Sequence, residues 1–387
     1  MTETKLGGHS GRLWLACALA VTAIAPAQTA TETVLHSFGN FPNGANPYGT
    51  LTIDSAGDLY GTTYQGGASN AGAVFEREAS GTYKVLYSFT GGNDGGNPYA
   101  GVVLNSAGNL YGTTYNGGAS GKGVVYQVSP AGQETVLYSF TGGNDGGNPY
   151  AGVTLDAAGN LFGTTYYGGT ANVGVVYKVS PAGQETVLYS FSDSVTGNAY
   201  YGGYYPYAGL TLDGAGNFYG TTYMGGSGQE GVVYKLSPSG QESVLHSFLS
   251  GSGGASHAGL ILDAAGNLYG TASSVVYEIS AAGQYTAPLY LAIGTTGGTT
   301  DAGVAMDASG NLYGTTNPTS SGNNRAPYGV VYKVNTANHL TVLYTFPGPA
   351  KTGASIATGN NPGVVLDAAG NVYGGTPNAG GGARCTR

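Results

Sequence analysis

Apolar and polar residues alternate in short runs along most of this chain, four runs to a unit, and the unit recurs. In one unit the first run is Gly152–Asp156 (GVTLD), and the turn Ala157-Ala158-Gly159 leads to Asn160–Thr165 (NLFGTT). A glycine-rich loop precedes Gly174–Val179 (GVVYKV), and Ser180-Pro181-Ala182-Gly183 leads into Thr186–Phe191 (TVLYSF). A period of two is that of a pleated strand with one face buried. The turns have their own chemistry. Asp156 can accept backbone hydrogen bonds across the bend, and Gly159 can take positive φ. Pro181 pre-sets the first corner of the second turn, with Gly183 behind it. Each unit therefore predicts four short antiparallel strands.

The run D-x-x-G-N-L-Y-G-T-T punctuates these units. It begins at Asp54, Asn105, Asp156, Asp213, Asp263, Asp307 and Asp367, at spacings of 44 to 60 residues. Self-similarity at such a period signals a repeat architecture. Four antiparallel strands per repeat match a propeller blade, whereas a parallel β-helix has shorter coils and needs no tight hairpins within each coil. The expected fold is all-β: a seven-bladed β-propeller of four-stranded antiparallel blades, forming one domain over residues 28–387.

Residues 85–133 (VLYSFTGGNDGGNPYAGVVLNSAGNLYGTTYNGGASGKGVVYQVSPAGQ) resemble the GloVer tandem repeat of exported bacterial proteins, and similar residues run through nearly the whole mature chain. D-x-x-G-N-L-Y also resembles, more loosely, the hairpin of NHL-type and sensor-type propellers. The resemblance implies export and a repeat fold. It transfers no activity to any residue. In such propellers the run before the D-x-x-G turn is innermost. GVVLD is then the first strand, NLYGTT the second, GVVYKVS the third and VLYSF the outer edge. Val34–Phe38 (VLHSF) precedes the first unit, so it should cross over to complete the last blade and remove two exposed edges. The last copy has Gly363–Asp367 and Asn371–Thr376, but its tail, GGGARCTR, shows no counterpart of Gly174–Val179. The last blade is expected to be incomplete. Truncation or a shifted frame is favoured over direct pairing of Val34–Phe38 with the second strand.

Charged residues are only 8% of the chain and aromatics 11%, a balance unlike that of a disordered segment. The net charge of −8 argues against a phosphate-binding surface, which needs clustered Lys and Arg, so no nucleic-acid partner is expected. Residues 1–27 read as a signal peptide. Lys5 and Arg12 precede the apolar run Leu13–Ala25, and Ala25-Pro26-Ala27 offers small residues before a cleavage point. Cys17 lies inside that run behind Trp14-Leu15-Ala16, a poor lipid-attachment box. The mature chain has no apolar run long enough for a membrane helix. It keeps one cysteine, Cys385, so the fold holds without an internal disulfide. The expected location is secreted or cell-surface.

Candidate chemistry is sparse. The repeated Asp of the D-x-x-G turn reads as a cap, since Asn105 replaces it without loss of the motif. The loops Gly91–Pro98 and Gly142–Pro149 (GGNDGGNP) offer Asp94 or Asp145 with neighbouring Asn oxygens, thin for calcium, which wants six to eight. No cofactor or metal is expected. Tyr60, Tyr111, Phe162, Tyr219, Tyr269, Tyr313 and Tyr373 sit in the second strand of every copy and suit packing between blades. A second aromatic set stops after the fourth copy. Tyr64, Tyr115, Tyr166 and Tyr223 follow the second strand, and Tyr48, Tyr99, Tyr150 and Tyr207 follow Pro before the first. Both loops emerge on one face of a propeller. An insertion adds Tyr200, Tyr201, Tyr204 and Tyr205 to the fourth copy. These eight tyrosines are the candidate ligand-binding residues, for a glycan or cell-surface polymer, or for another protein. The alternative use of the rings is local packing in a scaffold. For a hydrolase or lyase the acids outside the repeat, Asp193 and Asp301, are the suspects. His36, His246, His257 and His339 stand in no known catalytic motif, and no catalytic residue is assigned.

Overall fold

The computed structural model describes residues 30–39, 42–193, 202–249, 258–291, 298–300, 302–317, 329–346, 363–376 and 384–387. The signal segment, Tyr200, Tyr201, His257 and Asp301 lie outside them. The described residues form no helix and seven four-stranded sheets in a β-propeller arrangement, with one small extra pairing of Gly203–Tyr204 and Met224–Gly225. Six sheets each come from one stretch of chain, their strands adjacent in sequence order. In the third, Thr154–Leu155, Leu161–Thr165, Val175–Val179 and Glu185–Ser190 pair antiparallel in that order.

The remaining sheet is composite. Val365–Leu366 and Val372–Thr376 come from the last repeat, Arg384–Thr386 stands third, and Val34–Ser37 from the start of the chain is the outer strand. The crossing of Val34–Ser37 is as expected. The expected gap is not found, because three tail residues fill the third position. Arg-Cys-Thr has neither the Val-Val-Tyr pattern nor the Ser-Pro-Ala-Gly turn that marks this strand elsewhere, so alternation could not reveal it.

The D-x-x-G turns are caps. Asp156 Oδ1 accepts from the backbone N–H groups of Ala158 and Asn160 at 2.9 and 2.8 Å, and Oδ2 accepts from Asn160 Nδ2 at 2.7 Å. Burial works against ionisation of Asp156, but these hydrogen bonds outweigh it and hold the carboxyl below its usual range. Tyr219, Tyr313 and Tyr373 donate their hydroxyls to the turn Asp of their own copy at 2.9–3.0 Å. Asn105 reverses that bond by donating to the Tyr111 hydroxyl. The rings meanwhile pack against the next sheet, as Tyr111 does on the cluster of Phe140, Val153 and Tyr177.

Glycine of the second strand faces an aromatic residue of the third in six sheets. The pairs are Gly61–Phe75, Gly112–Tyr126, Gly163–Tyr177, Gly220–Tyr234, Gly270–Tyr277 and Gly314–Tyr332. The ring lies over the glycine, and a Cβ on Gly163 would fall 2.4 Å from the Tyr177 hydroxyl. Any side chain there would evict the ring. The next residue along, Thr, ties neighbouring sheets together: Thr62, Thr113, Thr164, Thr221 and Thr271 donate to the carbonyls of Ala100, Ala151, Ala208, Ala258 and Ala302 at 2.7–3.1 Å.

At the rim, matched residues join each outer strand to the next. Tyr189 donates to Glu242, and Tyr344 donates to Glu32 of the composite sheet. Tyr87 faces Glu134, and Tyr138 faces Glu185. Where His replaces Tyr, Tyr replaces Glu. His246 stacks on Tyr285 at 3.6 Å, and His36 of the composite sheet stacks on Tyr83 of the first at 3.7 Å. Leu289 and Leu340 pack on one cluster at the remaining junction. The His36–Tyr83 stack and the bond from Gly363 N to Thr50 Oγ1 join the composite sheet to the first.

The rim glutamates give this fold a pH dependence. Burial, then the nearby carboxylates Asp94 and Asp145, push Glu134 and Glu185 up to about 7 from 4.5. The folded chain therefore holds these protons more tightly than the unfolded one. Their stabilising contribution is full below about 4.5 and is lost as pH rises through about 7. Burial lowers His36 and His246 below 6.5, so protonating them in acid opposes this trend. The double change Glu134→Gln and Glu185→Gln isolates the carboxyl part. Its melting temperature should match the parent at pH 4 and exceed it increasingly up to neutral pH. A constant gap across pH would contradict the assignment.

Candidate functional site

The first strands surround a central channel of about 410 Å3. Among the described residues its lining is Tyr, Thr, Gly, Ala, Leu and Val, with no charged side chain. Glycine backbones crowd the axis: a Cβ on Gly101 would clash with the Thr50 carbonyl. Tyr48, Tyr99, Tyr150 and Tyr207 stand where the chain enters the first four inner strands, and all four line the channel.

The loops that place the rings are held by short-range bonds. Thr114 Oγ1 donates to the Asn116 carbonyl and accepts from Val124 N–H, which clips the loop bearing Tyr115. Asn97 and Asn148 sit immediately before Pro at φ near 55°, a left-handed conformation that Asn tolerates. Their amides donate to the carbonyls of Tyr64 and Tyr115 at 2.9 and 3.0 Å. The Asn-Pro-Tyr of one repeat thus grips the Thr-Thr-Tyr of the repeat before it. In the fourth repeat Tyr205 replaces that Asn at φ 56°. A bulky residue in this region is a backbone outlier, of a kind that costs on the order of 1–3 kcal/mol. Its ring stacks on Tyr166 at 4.7 Å and 13°.

The eight tyrosines named from the repeat are half-buried, and seven of them form one unbroken zigzag. Tyr48, Tyr64, Tyr99, Tyr115, Tyr150, Tyr166 and Tyr207 follow one another with ring centroids 5.5, 4.5, 5.4, 4.7, 5.1 and 6.1 Å apart. Tyr150 also stacks on Tyr207 at 4.4 Å. Tyr223 joins electrostatically beside Tyr166. The rings pack on each other within and across repeats. Burial, together with neighbouring tyrosines, raises Tyr48, Tyr99 and Tyr150 and pushes Tyr166 up to about 12. These four hydroxyls stay protonated at neutral pH, able both to donate and to accept. Beside the ribbon, Tyr115, Tyr167, Asn116, Asn148, Asn172 and Lys122 line a shallow pocket of about 480 Å3. Tyr167 was not singled out from sequence, because the equivalent positions carry Gln65 and Asn116 instead.

Other candidates have structural partners. Asp94 accepts from Thr90 N–H and the Tyr87 hydroxyl, and Asp145 from Thr141 N–H and Tyr138, as turn caps do. Asp193 is exposed after the third outer strand. Among the described residues no three His, Cys, Asp or Glu side chains cluster as metal ligands would.

No curated protein matches the chain in sequence. A streptogramin B lyase structure is 13% identical, covers 92% of this chain and 97% of its own, and superposes with a TM-score of 0.58. Virginiamycin B lyase from Staphylococcus aureus, also 13% identical, covers 92% and 99% at 0.58. An extracellular domain assigned to a hybrid two component system from B. thetaiotaomicron is 16% identical and gives 0.57, covering 91% of this chain and 40% of that one. At such identities the likeness is one of propeller fold alone. In sequence, the family model described as the Gloeobacter/Verrucomicrobia repeat matches residues 20–205.

Proposed function

We propose that this protein is an exported, single-domain, non-enzymatic propeller that binds a neutral glycan or similar surface polymer along its tyrosine ribbon. The composite sheet serves in this reading as a seventh blade that latches the ring, and residues 1–27 as a cleaved signal. The extracellular domain among the structural neighbours supports a location outside the cytoplasm. The observation that carries the reading is the unbroken zigzag of seven rings at the mouth of a channel whose described lining is uncharged. Ring edges and protonated hydroxyls suit the C–H and O–H groups of sugars, and Tyr supplies contact area at low entropic cost. A row of similar subsites helps to meet the roughly 4–15 kcal/mol lost on association.

The mutual packing of the rings also favours a second reading, a scaffold in which the ribbon is only a seam between repeats. Tyr99→Phe separates the two. Phe keeps the contacts with Tyr64, Tyr115 and Tyr150 and removes the hydroxyl. Weaker polymer binding at an unchanged melting temperature supports the binder, and binding and melting temperature both unchanged support the seam.

A further inference from the structure

The composite sheet breaks the glycine–aromatic rule. Opposite Gly374 stands Thr386, where the other six sheets carry Tyr or Phe. A Cβ on Gly374 would meet Val364 Cγ1 at an ordinary 3.5 Å, whereas at Gly112, Gly163, Gly220, Gly270 and Gly314 it would lie 2.4–2.5 Å from a tyrosine hydroxyl. The preceding sheet shows the same missing ring. Phe38, Phe89, Phe140, Phe191 and Phe248 each receive the third-strand aromatic of the next sheet edge-on at 5.0–5.5 Å. Among the described residues Phe346 has a ring contact only with Tyr344 of its own strand, and it is the single buried residue of its cluster. A cavity of about 530 Å3 opens there, lined by Val331, Leu343, Phe346, Val364, Gly374 and Thr386 among others.

The structure assigns to this cavity a binding site for one neutral aromatic ring the size of a tyrosine side chain. The fold itself specifies the occupant, since the equivalent place is filled by a phenyl or phenol ring six times over. Five of those rings are tyrosines, and the hydroxyls of Tyr126, Tyr177 and Tyr234 are buried without a hydrogen-bond partner, so packing holds these three. Small aromatic molecules enter cavities against apolar walls, and here Val331, Leu343, Phe346 and Val364 form such a wall beside threonines and charged residues. Two charged groups of the lining are engaged within the fold: Glu32 accepts from Tyr344 at 2.7 Å, and Lys333 lies 4.0 Å from Asp307. Arg387 is exposed and interacts with Tyr373. A neutral ring therefore suits the site better than an aryl acid or amine.

The probe is p-cresol, the tyrosine side chain severed beyond Cβ, titrated calorimetrically into the purified protein beside a thermal melt. Saturable binding at one site with a raised melting temperature is expected. Thr386→Tyr supplies the missing ring from the chain, and should raise the melting temperature without ligand and weaken p-cresol binding at least tenfold. Gly374→Leu reaches the same space at a backbone of ordinary φ and should weaken binding likewise, which keeps the test decisive if Thr386→Tyr misfolds. Tyr150→Ala, in the ribbon, should leave p-cresol affinity unchanged. Absence of saturable binding at millimolar p-cresol, binding retained in a folded filled variant, or loss of binding in Tyr150→Ala alone would each overturn the assignment.

Discussion

Replacing Tyr177 by alanine should destabilise the protein by about 3–5 kcal/mol, the range for removing a large ring from a core. Tyr177 is fully buried, faces Gly163 across the sheet, and meets the edge of Phe140 at 5.0 Å. Gly163 has no side chain with which to collapse into the hole, so a cavity would remain between the second and third sheets. Tyr177→Phe should behave differently. The hydroxyl has no hydrogen-bond partner and is wholly buried, so deleting it removes a desolvated polar group and should shift stability by less than about 1 kcal/mol in either direction. Urea unfolding midpoints of the two variants measure this directly. Equal losses for Ala and Phe would show that the hydroxyl has a role the packing account lacks.

Tyr150→Ala should produce the largest functional effect. Its ring touches Tyr99, Tyr115, Tyr166 and Tyr207 at 4.9, 4.7, 5.1 and 4.4 Å, more ribbon neighbours than Tyr48 or Tyr64 has at the end of the row. Aromatic pairs contribute about 0.5–1.5 kcal/mol each beyond area burial, so roughly 2–6 kcal/mol of stability should go with the four of them. Polymer affinity should fall at least about tenfold, because loss of this ring cuts the row into a run of four rings and a separate pair. Tyr150→Phe retains the rings in contact and should keep most of the stability. A titration of Tyr150→Ala at a temperature where it is fully folded separates affinity from unfolding. Undiminished affinity there would remove the ribbon from the binding site.

The strand pattern and its phase were legible because each strand is local: alternation, Pro-Ala-Gly turns and the D-x-x-G cap all lie within a few residues. The gathering of Tyr48, Tyr99, Tyr150 and Tyr207 with Tyr64, Tyr115, Tyr166 and Tyr223 was legible for the same reason, since both loops of a propeller repeat leave on one face. What stayed hidden is correlated across sheets. His36 and His246 read as lone exceptions in a Tyr position. Their meaning comes from Tyr83 and Tyr285, each in the repeat that follows in space, and for His36 that repeat is reached only through closure. Arg384–Thr386 carried no pattern because backbone pairing with Val372–Thr376 and Val34–Ser37 makes it a strand. Tyr205 looked like one more residue of an insertion until its backbone placed it in the Asn slot.

The most direct measurement is retention of the purified protein on immobilised neutral polysaccharides at low and high salt, with a thermal melt of the same sample. The described lining of the channel carries no charge, which predicts retention of at least one neutral polymer, little changed by salt, by a cooperatively melting protein. A cooperatively folded sample that binds none of them, or binds only charged polymers and releases them in salt, would contradict the account.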